Sequence, residues 1–253
     1  MNPNSGMNYC NYTLMDPRSQ DTEKFLEAAK QSRPVSGANQ GQEEDMYRRA
    51  VAQAIKTVDT LFTRSVVVAH CDEDLVWMQA LDPTLRKFVY SKGSKVALIP
   101  PTAIVLPNVG RDYHTYLTHI VKHYDLLDDV TFFLQGWPLD RSAHVISSVN
   151  YLRHFNFIEL GTNILETGPV GKQLLQFMDF IFGGDRQSYP GYISWEFRAN
   201  TQFGASRKRI RRNDLEFYAK CVEACEKGVP EYSISAESVP YLFEQTWAFL
   251  FEP

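Results

Sequence analysis

The chain has 253 residues, a hydrophobic fraction of 44% and a formal net charge of −4. This length suits one large domain with a substantial core, and the small net charge excludes a protein drawn as a whole to nucleic acid or to a membrane. No apolar run reaches the ~18 residues of a transmembrane helix, the N-terminus lacks a signal-peptide pattern, and the cysteines are too few for a secreted disulfide scaffold. We therefore expect a cytoplasmic protein without membrane contact.

The first 43 residues are polar and rich in Asn, Ser, Gln and Gly, which predicts a flexible N-terminal tail. Residues 44–253 are predicted to form a single α/β catalytic domain. It opens with helical spacing of apolar residues over 46–62, and the β-branched run 66–69 then predicts a buried parallel strand. Asp72 is expected to cap a helix that extends to residue 81.

Strands are predicted at residues 88–90, 103–106 and 130–134, and an amphipathic helix over 111–124 precedes the last of them. Further helices are predicted over 170–182, over 213–227 with Asn213 as the N-cap, and over 240–251. Glu196 and Arg198 are expected to share one face of a strand. The alternation of strands and helices predicts a mainly parallel central sheet flanked by helices, with ligands beyond the carboxyl ends of the strands.

Polar residues concentrate where a glycine turn enters the helix over 111–124. Backbone N–H groups at a helix start favour an anion or a polarised carbonyl, which makes Asn108 and Gly110 candidate oxyanion donors. Arg111 has the donors to bind a carboxylate or phosphate, and His114 is a candidate acid or base. The structural alternative is that Asn108 and Asp112 cap the helix and that Arg111 pairs with Asp112.

Two more polar clusters follow predicted strands. Gln135 lies directly after an apolar strand, and Trp137 is placed either to stack on a substrate or to cover the core at a tight turn. Glu73 and Asp74 follow the first strand, where carboxylates bind a cation such as a guanidinium or simply begin a helix.

Acidic and basic groups outside these clusters complete the candidate set. Glu244 lies beside Trp247 in an apolar helix, where a carboxylate is paired or functional, and Glu196 is expected near the site. A run of five cations in six positions is typical of a phosphate or RNA contact, although such runs are more often a solvated surface. It consists of Arg207, Lys208, Arg209, Arg211 and Arg212.

Six segments of the chain resemble a fungal family long labelled only as a domain of unknown function. In order, they read VVVA…EDLVW (66–77), PNVGRDYHTYL (107–117), FFLQG (132–136), FGASRKRIRR (203–212), LEFYAKC (215–221) and FEQTW (243–247). The family includes arginine-containing cyclodipeptide synthases, which join arginyl-tRNA to a second aminoacyl-tRNA. Its NVGRD segment also looks like part of nucleotide-sugar glycosyltransferases, which implies a glycosyltransferase-like, Rossmann-like fold.

The resemblance implies an aminoacyltransferase that needs no cofactor and no metal, with the two aminoacyl-tRNAs as its partners. We then expect His114 to move protons near Asp112, and Glu73, Asp74 or Glu244 to bind the arginine guanidinium. Trp137 or Trp247 would line the second pocket, and the basic run would contact tRNA phosphates.

Further roles and functions stay open at this point. Tyr116 is one candidate for an acyl-accepting nucleophile, and direct transfer between the two esters is the alternative. A nucleotide-sugar transferase is a competing function, although Leu134-Gln135-Gly136 stands where its metal-binding Asp-x-Asp is expected. The other competing function is that of a non-catalytic RNA-binding module.

Overall fold

A computed structural model of the protein describes residue 49 and residues 62–161, 165–169, 171–183, 194–198 and 201–251. Residues 165–169, 194–198 and 248–249 are described by their backbone alone. By its internal contacts the chain divides into two units, Met1–Thr57 and Val58–Pro253. The predicted tail over residues 1–43 and almost all of the predicted helix over 46–62 lie outside the described residues. Both β-sheets of the described residues lie in the second unit.

Eight strands are described in this unit. They are β1 (Arg64–His70), β2 (Arg86–Ser91), β3 (Ile104–Val105), β4 (Val130–Gln135), β5 (Phe157–Glu159), β6 (Leu165–Pro169), β7 (Ser194–Arg198) and β8 (Phe203–Ser206). Six of them form one sheet in the order β3-β2-β1-β4-β8-β5, and β6 and β7 form a separate antiparallel pair. In the large sheet only β8 runs against the others, which confirms the predicted mainly parallel sheet.

Six α-helices of this unit are described alongside short 3₁₀ turns. They are α1 (Arg111–His123), α2 (Val145–Tyr151), α3 (Lys172–Phe182), α4 (Arg207–Ile210), α5 (Leu215–Lys227) and α6 (Val239–Phe251). The predictions over 111–124, 170–182 and 240–251 are therefore confirmed to within about two residues, the usual uncertainty of helix ends. No helix among these residues is long and apolar enough to cross a membrane.

The two faces of the sheet bury different sets of side chains, because successive residues of a strand point to opposite sides. Val67 and Phe133 pack against α1, α3, α5 and α6. Val66 and Phe132 pack on the other face, against Trp77 and α2. All seven residues of β1 are buried, as a central parallel strand covered on both faces requires.

Three local predictions are wrong. Asp72 caps no helix: it has φ +68° and accepts the backbone N–H of Lys95 at 2.7 Å. Only a 3₁₀ turn, Val76–Ala80, follows it. At α5 the N-cap is Asp214 rather than Asn213, since the Asp214 carboxylate accepts the N–H of Phe217 at 2.8 Å. Strand β8, between β4 and β5, was not predicted at all, because its four residues include Gly204 and Ala205, which carry little β-strand signal.

Candidate functional site

Three neighbouring parallel strands end together at one edge of the sheet, which we call the carboxyl edge. β1 ends at His70, β2 at Ser91 and β4 at Gln135. The start of α1 meets this edge, because the Gln135 amide donates to the Asp112 carboxylate at 2.8 Å. The predicted clusters around residues 73, 112 and 135 are therefore brought together.

Four polar side chains form the centre of this edge, and we call them the edge cluster: Glu73, Lys92, Asp112 and Gln135. The Glu73 carboxylate lies so close to Gly136 that a Cβ there would stand 2.3 Å from its Oε2. Lys92 and Glu73 both act electrostatically on Asp112. A larger residue at position 136 would therefore displace the end of the Glu73 side chain.

Helix α1 begins from a turn with two consecutive left-handed residues, Gly110 with φ +60° and Arg111 with φ +50°. A Cβ on Gly110 would stand 2.7 Å from the Cβ atoms of Cys225 and His114, so α5 packs directly on this turn. No side chain caps the helix. The alternative in which Asn108 and Asp112 cap α1 is therefore wrong; Asn108 is exposed, and Asp112 turns to Gln135 instead.

Asp112 has the charge properties of an acid–base group. Burial raises the pKa of the Asp112 carboxyl, while the Gln135 hydrogen bond and the charge of Lys92 act in the opposite direction. Burial likewise lowers the pKa of Lys92 to about 8, against the charge of Asp112. A carboxyl with a raised pKa can accept a proton and return it in one cycle.

Lys92 was absent from the residues that the sequence indicated. A single lysine two residues beyond a predicted strand carries little signal, although its place at a strand end in the run Tyr90-Ser91-Lys92-Gly93 is the feature that could have found it.

The position of His114 does not favour its predicted role as a proton shuttle. It is buried, and its Nε2 lies 3.1 Å from the Glu226 carboxylate on α5. Its Nδ1 has no hydrogen-bond partner among the described residues. Burial and the charge of Lys92 lower the pKa of His114, which keeps the ring neutral at pH 7. The shuttle role stays a prediction, and the position of Asp112 suits proton transfer better.

The acidic run after β1 is largely occupied by its own loop. Asp72 accepts from Ser94 and Lys95, and Asp74 accepts the N–H of Val76 at 2.9 Å. The Glu73 carboxylate accepts the N–H of Cys71. Asp72 and Asp74 have the Asp-x-Asp spacing, yet the described residues include no group of three or more His, Cys, Asp or Glu arranged to hold a metal ion.

Aromatic side chains of α1 and α6 form a wall beside Asp112. The rings of Tyr113 and Trp247 stack at 5.5 Å, and Tyr116 lies 6.4 Å from Trp247. Burial, Glu244 and Asp112 raise the pKa of Tyr113 well above its ordinary value. Burial also raises the pKa of Tyr116, which makes its hydroxyl a weak nucleophile.

The remaining predicted pocket residues are dispersed. Trp137 packs with the core on the opposite face of the sheet from Trp247, so the two indoles do not share a pocket. Glu196 lies in β7, where its backbone pairs with that of Thr167 in β6. The position of the Glu196 side chain lies outside the described part of the chain.

The basic run lies at the other end of the strands, which we call the amino edge. Ser206 pairs with Val130, the first residue of β4, and the run begins immediately after it. Arg207 forms an ion pair with Asp129, and Arg211 donates to the carbonyl of Tyr124 at 3.0 Å. β4 has 6 residues, so the two edges are roughly 20 Å apart at ~3.3 Å per residue. The structure does not bring the run and the edge cluster together.

Comparison with known proteins identifies one similar family. A family model described as "Protein of unknown function (DUF3431)" matches residues 66–163, less than half of the chain. This range extends from β1 past β5 and contains all four residues of the edge cluster. It ends before the basic run and α6. No curated protein and no solved structure gives a significant match.

Proposed function

We propose that the protein is a tRNA-dependent aminoacyltransferase that condenses arginyl-tRNA with a second aminoacyl-tRNA into an arginine-containing cyclic dipeptide. The choice of substrates rests on the resemblance of six segments to the cyclodipeptide synthases. The observation that supports group transfer is Asp112: a partly buried carboxyl with a raised pKa, which accepts a hydrogen bond from Gln135 at the carboxyl edge.

The reaction requires two acyl transfers and no redox step. The α-amine of one substrate attacks the ester carbonyl of the other, a C–N bond forms, and the C–O bond to the tRNA ribose breaks. Asp112 accepts the proton that the amine loses and returns it to the departing ribose oxygen. The free amine of the dipeptidyl ester then attacks the remaining ester in the same way, which closes the ring and releases the second tRNA.

Two features of the carboxyl edge suit these steps. The first N–H groups of a helix have no partner within the helix, so the start of α1 offers donors to the tetrahedral oxyanion, together with the exposed Asn108 amide. Glu73 in the edge cluster and Glu244 near Tyr113 are the carboxylates best placed for a guanidinium. Asp74 suits this role less well: like Glu73 it accepts one backbone N–H, but it lies outside the edge cluster.

We also propose a more specific fold for the large sheet and its helices. The order β3-β2-β1-β4 with parallel neighbours matches four of the six strands of the doubly wound nucleotide-binding order. This order supports a Rossmann-like, glycosyltransferase-like fold with its ligand at the carboxyl edge.

A reconstituted reaction tests the proposed function. The purified protein is incubated with a tRNA pool, aminoacyl-tRNA synthetases, ATP and all amino acids, with and without ribonuclease, and small products are analysed by mass spectrometry. We expect a ribonuclease-sensitive product with the mass of arginine plus a second amino acid less two waters. With intact charged tRNAs, the lack of such a product would overturn the proposal. Retained tRNA binding without product would favour the RNA-binding module instead.

Strand order also favours one competing function, transfer of a sugar from a nucleotide sugar. Such an enzyme needs a metal or cationic groups for the diphosphate, and the Asp72 and Asp74 carboxylates are engaged by their own loop. Calorimetric titration with nucleotide sugars, with and without Mn²⁺, separates the two functions, because only the sugar transferase binds them tightly.

A further inference from the structure

Lys92 holds an unusual position for a lysine. It follows the last residue of β2 and is only 9% exposed. Its ammonium group donates to the carbonyl oxygen of Val109 at 2.6 Å and to that of Arg111. These two carbonyls belong to the residues on either side of Gly110, so one side chain of the sheet holds both sides of the left-handed turn.

The turn needs such a partner for two reasons. Left-handed backbone is unfavourable for a residue with a side chain, as Arg111 has, and it persists only where its surroundings enforce it. A buried carbonyl without a donor is also costly, and the ammonium group satisfies two of them. Gly110 permits the turn sterically, whereas Lys92 supplies the hydrogen bonds that favour it.

We propose that Lys92 is a positioning residue, which holds the Val109 and Arg111 carbonyls and thereby fixes where the Asp112 carboxylate stands at the carboxyl edge. Asp112 follows the turn directly and reaches Gln135 only if α1 begins with this geometry. The catalytic consequence rests on the proposed function, but the positioning itself does not.

Lys92 is unsuited to act as a nucleophile itself. A nucleophilic amine needs a lone pair that a substrate can reach, whereas Lys92 is buried and its Nζ is turned to two backbone carbonyls. Its role is therefore exerted through Asp112.

The test measures the turn and the carboxyl directly by NMR on the full chain. The groups that act on Asp112 in this region are Lys92, Glu73, Arg111, Cys71, Tyr113 and Tyr116. In Lys92→Met we expect the titration midpoint of the Asp112 carboxyl carbon to rise by about 1 to 3 pH units, since an opposite charge is lost. The amide signals of Gly110 and Arg111 should also shift.

Two further variants make the test decisive. Lys87→Met removes an exposed lysine from the same strand and should change neither observable. Lys92→Arg keeps the charge but alters the donor geometry, so it should shift the turn signals and, through the turn, the signal of the Asp112 carboxyl carbon. If Lys92→Met fails to fold, Lys92→Arg alone decides: unchanged turn signals overturn the proposal.

These outcomes are independent of the reaction. A folded Lys92→Met protein with unchanged Gly110 and Asp112 signals overturns the positioning role, whatever the protein makes. Failure to form a cyclic dipeptide overturns the proposed function and leaves the positioning measurement standing.

Discussion

The two edges of the sheet use charged side chains in opposite ways. At the carboxyl edge, Lys92 is buried and Asp112 is partly buried, and they do not neutralise each other through a direct ion pair. Each is held by a neutral hydrogen-bonding partner, Gln135 for Asp112 and backbone carbonyls for Lys92. At the amino edge, Arg207 is paired directly with Asp129, and Arg211 covers Tyr124.

This difference indicates that the charged groups of the carboxyl edge suit acid–base chemistry, whereas those of the amino edge stabilise the fold. Direct ion pairing fixes the chain locally, as Arg207 does between α4 and the start of β4. Burial with neutral partners shifts pKa values, which is what acid–base chemistry requires. A strongly basic sequence run is therefore a poorer guide to the reactive part of this molecule than a single aspartate and a single lysine.

The largest expected effect concerns Asp112. Asp112→Asn keeps the shape and the contact with Gln135 but cannot accept a proton, so turnover to cyclic dipeptide should fall by about two to four orders of magnitude. Thermal unfolding should show little loss, because a buried charge is removed. Asp125→Asn, at a carboxylate that is 88% exposed on the amino edge, is the control and should retain full turnover. Normal turnover in Asp112→Asn would remove Asp112 from the mechanism.

The turn at Gly110 should tolerate a side chain poorly. Gly110→Ala combines left-handed backbone with a Cβ 2.7 Å from neighbouring atoms, and we expect a loss of about 2 to 4 kcal/mol in the free energy of unfolding. Gly183→Ala has the same backbone requirement, with φ +75°, but open space around the Cβ. It should lose only about 1 kcal/mol. Equal urea midpoints for the two variants would contradict the close packing of α5 on the turn.

Away from the carboxyl edge, α1 carries a histidine that should matter for stability rather than reaction. His119 contacts the Tyr90 hydroxyl at 3.0 Å, and burial lowers its pKa to about 3. The unfolded state, with a pKa near ~6.5, binds the proton more readily, so stability is fully present above that pH and is lost as the pH falls towards 3. Between pH 7 and pH 5 this site should cost about 2 kcal/mol.

Urea denaturation at both pH values measures this effect. His119→Gln should lose that part of the pH dependence, whereas His144→Gln, at an exposed histidine, should keep it. The same slope in all three proteins would show that His119 is protonated as easily in the folded state as in the unfolded state.

The smallest effect is expected for the basic run. Replacing Lys208, Arg209 and Arg212 with Gln should reduce the salt dependence of tRNA binding by up to about one unit of slope per contact. Arg207→Gln should instead lower the unfolding midpoint, because its ion pair with Asp129 is lost. Lys87→Gln is the matched control. An unchanged slope in the triple variant would rule out the amino edge as a tRNA contact.

The sequence was informative where a pattern is local and periodic. Buried strand β1 and helix α1 followed directly from a β-branched run and from the spacing of Tyr113, Tyr116 and Ile120. The convergence of Asp112 and Gln135 also followed, because strand ends of a parallel sheet meet at one edge.

Features that depend on distant contacts could not be predicted in this way. The role of Lys92 arises from two carbonyls 17 and 19 residues away, and β8 is a strand only because β4 and β5 pair with it. Asp72 has the sequence of a helix cap but instead accepts from a loop 23 residues further on. Tertiary hydrogen bonds decide all three.

In the proposed function, the carboxyl edge binds the acyl ends of the substrates. The most direct test is an NMR titration of the full chain with an amide-linked, non-hydrolysable analogue of the arginyl-adenosine end of arginyl-tRNA. If the analogue binds at the carboxyl edge, we expect saturable shifts of the Gly110, Asp112 and Gln135 signals. Residues 207–212 should be unaffected by so short a ligand. Shifts confined to residues 207–212, or none at saturating analogue, would contradict this expectation.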